Sequence, residues 1–454
     1  DGELKPSFWS SGLIHKTPSR QTARRWRWAL PTLVVGVFGA AVWLADDRIA
    51  WSPLGQPPEV QTPMTWRLVM EPQEPATLIL SDTPEQLVRQ IYHHLGEGER
   101  QQALTVAEHL ASRYPNFQLG QLLYADLLNI GLREPVNGPE ITDDIQPAAQ
   151  RRLKELVLES TRRLLHPPTA GLKGKVPAGL LHLDPVQHPY VAAVDASRSR
   201  LYWFANRTDA DGLPRLELLM DTYVSVGIQG VGKEREGDGR TPLGVYFIQK
   251  NLPGETLPDL FGMGALTLNY PNAVDVMRKR TGSGIWLHGT PSAQYSRAPE
   301  ATDGCVVLSN PEMARLLGLG ALRLTPVLIA RELQWLPAGQ PPEDRQALLA
   351  RLQSWNQARL QDDEALLRSH YSERFERDNM GLDPWWSKLQ LPARSRQSAK
   401  PLEMLSALRW QDGEELMVVT WLDPNRSNRQ RQEYLRTYWV RDGAEWKIVF
   451  EGPV

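Results

Sequence analysis

The sequence predicts a multidomain protein of mixed α and β structure, with a β-dominated central domain flanked by an N-terminal α-helical region and a C-terminal α+β domain. Three observations lead there. The chain has 454 residues, room for about three domains of ordinary size. Apolar residues recur at helical spacing over 82–170 and then give way, over 188–334, to short β-rich runs separated by turn residues. Over 340–454 helical spacing returns and is followed by strands around Asp412-Gly413 and Asp442-Gly443, two strong hairpin turns.

Composition narrows the chemistry. Lys plus Arg is 51 against 53 Asp plus Glu, so no global basic field points to nucleic acid. One cysteine, Cys305, excludes an internal disulfide, an iron–sulfur cluster and a multi-cysteine zinc site. No H-E-x-x-H occurs either, and no metal or cofactor is expected. The lone thiol is an inert buried group, an accidental residue or a nucleophile. Sixteen tryptophans are scattered and define no motif.

Residues 1–27 are polar and basic, with Lys5, Lys16, Arg20, Arg24, Arg25 and Arg27 against Asp1 and Glu3. Residues 28–45 carry no charge, and at about 1.5 Å per residue they span about 27 Å, close to a hydrocarbon core. Asp46 and Asp47 follow, which predicts an N-in orientation. The reading is a cytoplasmic tail and a retained single-pass signal anchor. A cleaved signal peptide, using the small residues Gly39 and Ala41, and a buried soluble helix are the alternatives. The first two export the rest of the chain. Residues 46–81 predict a Pro-rich extended spacer.

In the helical region Thr83 is an N-cap, Pro84 sits at N1 and Gln86 completes a capping box. Leu87, Val88, Ile91 and Leu95 make one apolar face. Ala103, Leu104, Ala107 and Leu110 make a second, and Leu119, Leu122, Leu123 and Leu127 a third. The last two resemble a tetratricopeptide-type hairpin. A fourth helix over about 148–165 presents Leu153, Leu156, Val157 and Leu164. Nothing here carries chemistry, so the region reads as a scaffold or docking module. In the C-terminal part a long helix over about 343–360 precedes strands at about 403–410, 414–422, 431–440 and 445–451. That element order resembles the nuclear-transport-factor-two-like fold.

The segment GIWLHGTPSAQYSRAPEATDGCVVLSNPE, residues 284–312, carries the chemistry. His288 ends one apolar run, and Cys305 opens another directly after Gly304. A thiol is a weak nucleophile until a base takes its proton, and two adjacent strands would bring such a pair together. Gly304 allows a tight turn, and the amides of Asp303, Gly304 and Cys305 would line an oxyanion hole. A helix is expected to start at Asn310-Pro311 and end near Gly318.

His288, Thr302, Gly304, Cys305 and Val306, with EGDGRTPLGVYFI upstream at 236–248 and the hairpin VAAVDASRSRLYWF at 191–204, resemble the L,D-transpeptidase (YkuD-like) catalytic domain of bacterial cell-wall enzymes. The resemblance covers about 188–332. It implies a Cys305 nucleophile, a His288 base whose tautomer is fixed by the Gly289 carbonyl, and substrate-side roles for Arg240 and Thr241. It also implies a peptidoglycan stem peptide as substrate, attacked at an L,D bond. The acceptor is then an amine, giving a transpeptidase, or water, giving an L,D-carboxypeptidase or endopeptidase. The large appendages resemble those of carboxypeptidase-type, shape-determining members. A non-catalytic envelope scaffold is the reading from a different class. The expected place is the bacterial inner membrane, with the catalytic part in the periplasm and envelope proteins met through the helical and C-terminal parts.

The chain departs from the family pattern at Asp303, where many members have His, and at Val307, where many have Asn or Arg. Asp303 is expected to face away and contribute only backbone, since an inward carboxylate would raise the thiol pKa. Other features read as structural. GIQGVGK at 227–233 looks like a phosphate loop but is followed by Glu234, and reads as a glycine-rich hairpin loop. His93-His94, His182 and His188 lack supporting ligands. Arg426, Arg429, Arg431 and Arg436 read as a hairpin loop and exposed strand, and Asp362-Asp363-Glu364 as a helix start.

Overall fold

The computed structural model describes residues 83–132, 147–168, 171–209, 214–320, 322–361, 363–389, 400–427 and 431–454. The expected tail, anchor and spacer at 1–81 lie outside the described residues. Among the described residues no helix is long and apolar enough to cross a membrane.

Helix α1 (Pro84–Gly96) begins where its cap predicts, with Thr83 extended and its side chain accepting the Gln86 N–H. Helices α2 (Arg100–Arg113) and α3 (Gln118–Leu132) follow. Leu87, Val88, Ala107, Leu110, Leu123 and Leu127 close one core between them. Helix α4 (Pro147–Leu165) adds Leu156, yet its buried face also carries Glu159 and Arg163, paired at 2.8 Å. Apolar periodicity alone does not reveal that pair. Arg163 is held by Glu85 at 3.7 Å and by the Tyr223 ring, whose centre lies 3.9 Å away.

Residues 171–187, which show no period in the sequence, contain β1 (Lys175–Pro177) and β2 (Leu180–Leu183). Next come β3 (Tyr190–Asp195), β4 (Arg200–Thr208), β5 (Pro214–Tyr223), β6 (Val226–Gly227), β7 (Gly244–Pro253) and β8 (Gly264–Leu268). Helix α5 (Ala273–Met277), β9 (Trp286–His288), β10 (Glu300–Thr302), β11 (Val306–Val307), helix α6 (Asn310–Leu317) and β12 (Pro326–Ala330) complete the middle of the chain. Eight strands form one sheet in the order β11-β9-β8-β7-β12-β3-β4-β5, while β6 and β10 pair separately. The β9/β11 and β3/β12 pairs are parallel and the rest of the sheet is antiparallel.

Both faces of this sheet are covered, which is why YVAAVD reads as a continuous apolar run. Ala192, Val194, Trp203, Leu287 and Val306 face one core, closed by Met313 and Leu316 of α6. Val191, Ala193, Tyr202, Val245 and Phe247 face another, shared with Leu408, Trp410, Val418, Tyr438 and Val440 of the second sheet.

That second sheet follows β13 (Trp335–Pro337), which pairs with β1, and α7 (Arg345–Ala358), α8 (Glu364–Arg368), β14 (Glu376–Arg377), β15 (Met380–Gly381) and α9 (Leu382–Leu389). Asp363 caps α8 by accepting the Leu366 N–H. Strands β16 (Glu403–Asp412), β17 (Glu414–Leu422), β18 (Tyr434–Asp442) and β19 (Glu445–Pro453) then run antiparallel, with β2 added at the β16 edge. Gly413 and Gly443 take φ of +74° and +62° in the hairpin turns that the Asp-Gly pairs predict. Six of the tryptophans that look scattered gather behind this sheet. Trp355, Trp385, Trp386, Trp421, Trp439 and Trp446 share one core with α7. Arg436, expected on an exposed strand face, is instead buried between the two sheets, because β18 turns that face toward β7. Arg429 lies outside the described residues.

Candidate active site

Strands β9 and β11 pair with Val306 opposite Leu287 and Val307 opposite His288. Leu287 and Val306 point into the core, His288 follows Leu287 at the end of β9, and Cys305 directly precedes Val306 at the start of β11.

His288 is 4% exposed, and its Nδ1 lies 2.7 Å from the Gly289 carbonyl oxygen. A carbonyl only accepts, so Nδ1 carries the proton and Nε2 keeps its lone pair. The Phe261 ring stands edge-on at 5.0 Å. Burial pushes the imidazole pKa down to about 4; the Gly289 bond opposes this and Arg297 adds to it. Cys305 is half-buried, and its Sγ donates to the Gly284 carbonyl at 3.4 Å. Burial pushes the thiol up, a hydrogen bond from the Trp286 backbone opposes it, Asp303 raises it further, and Arg297 and Lys233 lower it. Among the described residues no hydrogen bond joins this thiol to the imidazole. The resting pair is therefore a neutral thiol beside a neutral base.

The turn before Cys305 explains its residues. Gly304 takes φ +131°, and a Cβ there would stand 2.6 Å from the Arg240 carbonyl oxygen. Buried Thr302 donates through Oγ1 to the Cys305 carbonyl at 2.7 Å and accepts the Gly304 N–H at 3.1 Å. The Gly304 amide is thus engaged, which corrects the expectation of three free donors; those of Asp303 and Cys305 remain. Asp303 is exposed, as expected, but its charge still raises the thiol pKa.

Gly289 is buried, and a Cβ on it would meet Asn310 Oδ1 at 2.3 Å. Thr241 does not face a substrate, contrary to the sequence expectation. It is fully buried, and its Oγ1 accepts the Gly227 N–H at 2.9 Å, which ties it to the start of the Gly-rich loop. Arg240 is exposed, with Nη1 on the Val231 carbonyl at 3.1 Å and its own carbonyl under Gly304. Lys233 of the phosphate-loop lookalike is held by Asp238 at 2.8 Å and by the Arg235 carbonyl. Among the described residues no group of three or more His, Cys, Asp or Glu could hold a metal ion.

Two residues escape the sequence reading. Arg297, in the polar stretch between His288 and Cys305, acts electrostatically on both. Asn310 holds the turn after β9, accepting from Met263 N at 3.0 Å and donating to the Thr290 carbonyl at 2.8 Å. No local signal marks Arg297. Its place is set by contacts from afar: Tyr223 donates to the Arg297 carbonyl at 2.8 Å, Ser296 to Glu159 at 2.6 Å, and the Tyr295 N–H to Asn116 of the α2–α3 turn. A cavity of about 280 Å³, lined by Arg297, Val307, Tyr223, Tyr295, Arg163 and Glu312, lies along this seam.

The two parallel strands thus carry a buried histidine on β9 and a thiol directly before β11, the thiol following a glycine whose backbone admits no side chain. Residues 189–329 match the L,D-transpeptidase catalytic domain family (YkuD), so this segment is such a domain. Among solved structures, Bd1075 of Bdellovibrio bacteriovorus is 25% identical, with a TM-score of 0.50 over 62% of this chain and 98% of that one. The helical cell shape determining protein Pgp2 of Campylobacter jejuni is 20% identical, with a TM-score of 0.47 over 58% and 91%. An L,D-transpeptidase of Mycobacterium smegmatis is 15% identical, with a TM-score of 0.20 over 31% and 58%. No curated protein matches the sequence.

Proposed function

We propose that this protein is a peptidoglycan-modifying thiol enzyme, an L,D-transpeptidase that works through a thioester on Cys305. The observation that supports the reading is His288, with Nδ1 anchored on Gly289 and Nε2 left as a base at the end of β9, the strand paired with the β11 segment that Cys305 precedes. As Sγ attacks the carbonyl carbon between an L-centre and a D-residue of a stem peptide, Nε2 takes the thiol proton. The amides of Asp303 and Cys305 receive the oxyanion. Collapse breaks the C–N bond, and the leaving D-amino acid takes the proton back from Nε2. The side-chain amine of a second stem then attacks the thioester, loses its proton through Nε2 and expels the thiolate, which is reprotonated. Water in that place gives an L,D-carboxypeptidase or endopeptidase.

The same reading places the enzyme in the periplasm, held at the inner membrane by the anchor at 28–45. The tetratricopeptide-like helices and the nuclear-transport-factor-two-like part would select envelope partners. The test is incubation of the full chain with a tetrapeptide stem, with and without an acceptor amine. Cross-linked product means transpeptidase, and tripeptide plus free D-alanine means carboxypeptidase. Folded protein that forms neither points to a non-catalytic envelope scaffold. A Cys305→Ala variant that keeps either activity overturns the assignment.

A further inference from the structure

Two cations, Arg297 and Lys233, act on the Cys305 thiol, and Arg297 acts on His288 as well. They differ in what already holds them. Lys233 is 3% exposed, and its ammonium is closed off by Asp238 at 2.8 Å and the Arg235 carbonyl at 3.0 Å. Arg297 is half-buried, and among the described residues its guanidinium forms no ion pair and donates no hydrogen bond.

The fold sets this guanidinium beside the site and gives the neighbouring acids other work. Tyr223 donates to the Arg297 carbonyl at 2.8 Å, the Val226 N–H to the Pro299 carbonyl at 2.8 Å, and the Ser225 N–H to the Val307 carbonyl at 3.0 Å. One short stretch, 223–226, thus ties the Arg297 segment to Val307, which stands opposite His288 on β9. Along the same seam Asp221 holds Arg200 at 2.6 Å, and Glu159 holds Arg163 at 2.8 Å. Glu312, which lines the cavity that Arg297 also lines, meets the Tyr295 hydroxyl at 3.5 Å. Asp303 bears on Arg297 electrostatically but forms no ion pair with it. Burial pushes the guanidinium down without discharging it at neutral pH.

A half-buried cation without a counter-charge is costly, and the planar fork of a guanidinium matches a carboxylate in two parallel hydrogen bonds. When Cys305 attacks the last peptide bond of a stem, the departing residue carries a free carboxylate. Its carboxyl carbon lies about 3.5 Å along an extended chain from the attacked carbonyl, so its receptor has to stand beside thiol and base. Arg297, which acts on both, is placed for that. We infer that Arg297 binds the free carboxylate of the terminal D-residue and so directs the enzyme to stems that end there. The inference rests on the function proposed above and narrows it, because a D-residue extended by further chain has no carboxylate at that place.

The test gives the full chain two donors, a tetrapeptide stem with a free terminal carboxylate and the same peptide ending in a carboxamide. Release of the terminal residue is followed, and kcat/KM is taken for each. The wild type is expected to favour the free acid by about 10- to 100-fold, the worth of a hydrogen-bonded charge pair. Arg297→Met is expected to bring that ratio to about one, and Arg297→Lys, which keeps the charge without the fork, to retain part of it. The ratio separates recognition from reactivity, since a change in the thiol or in His288 slows both peptides alike. Equal rates for the two peptides in the wild type overturn the inference and leave the proposed function standing. A ratio retained in Arg297→Met overturns it too, by placing the carboxylate elsewhere. Release from neither peptide by the folded wild type overturns the proposed function itself, and the inference with it. If Arg297→Met does not fold, Arg297→Gln takes its place in the same comparison.

Discussion

The protonation state of the resting pair has a direct chemical consequence. With an imidazole pKa of about 4, His288 is protonated in only about one molecule in a thousand at pH 7. A thiolate–imidazolium pair is therefore not populated at rest. Free cysteine, with a pKa near 8.5, is about 3% thiolate at pH 7. Cys305 lies above its ordinary value, so its thiolate fraction is smaller still. The perturbation is pH, and the assay is alkylation by an uncharged reagent, unambiguous because the chain has one cysteine. Below free cysteine at pH 7, the rate is expected to rise about tenfold per pH unit well past pH 8. A plateau between pH 5 and 7, faster than free cysteine, would refute the reasoning, since it signals a standing ion pair. Deprotonation then belongs to the attack itself, and the acid limb of kcat/KM is expected near pH 4 rather than 6.5. Arg297 lowers both groups, so Arg297→Met is expected to move that limb upward and slow alkylation together. A shift of either in the opposite sense removes Arg297 from the site.

Thr302→Val leaves the Gly304 N–H and the Cys305 carbonyl without their partner, and urea unfolding is expected to show a loss of about 2–4 kcal/mol, which Thr302→Ser largely restores. Asp126 is 1% exposed, has no hydrogen-bond partner on either oxygen among the described residues, and is raised by burial to about 7. Its folded pKa exceeds the unfolded one, so the protein binds this proton more tightly when folded. Stability is highest below about pH 4 and falls as pH rises toward 7, by about 2–4 kcal/mol from this group, and Asp126→Asn is expected to flatten that window in denaturant titrations. Tyr295→Ala removes a ring packed at 5.5 Å on Tyr114 and 5.1 Å on Phe117. The expected loss is about 3–5 kcal/mol in unfolding, accompanied by a changed alkylation rate at Cys305, since Arg297 follows two residues later.

The parts legible in the sequence are those whose environment is made by their own element. The Thr83 cap, the Asp-Gly turns and the α6 start depend on residues a few positions apart. Gly304 is legible because the sharp turn it makes excludes a side chain. What the sequence hides lies at seams. Strand β2 looks like linker because its order comes from pairing with Ser406, Ala407 and Leu408, more than two hundred positions away. Arg436 looks solvated because a basic strand residue usually is, and only the packing of β18 on β7 buries it. Thr241 looks like a substrate residue because a motif shows which residues stand together, not which way a side chain turns. Arg297 is the sharpest case, since its position is fixed by Tyr223, Glu159 and Asn116, none of them near it in the chain.

These hidden contacts share a direction. The α2–α3 turn and the buried face of α4 converge on one loop, the one running from His288 to Cys305, and they hold it through Tyr295, Ser296 and Ser292. A helical layer serving only as a docking surface would not need a buried Glu159–Arg163 pair with one carboxylate oxygen given to that loop. Such a pair is weak as a stabiliser and strongly demanding of geometry. It sits where geometry matters, because moving Arg297 alters the electrostatics of both the thiol and its base. On the proposed function, the helices would bear on the Cys305 thiol through Arg297, and a partner that shifts α4 relative to β5 would be felt there.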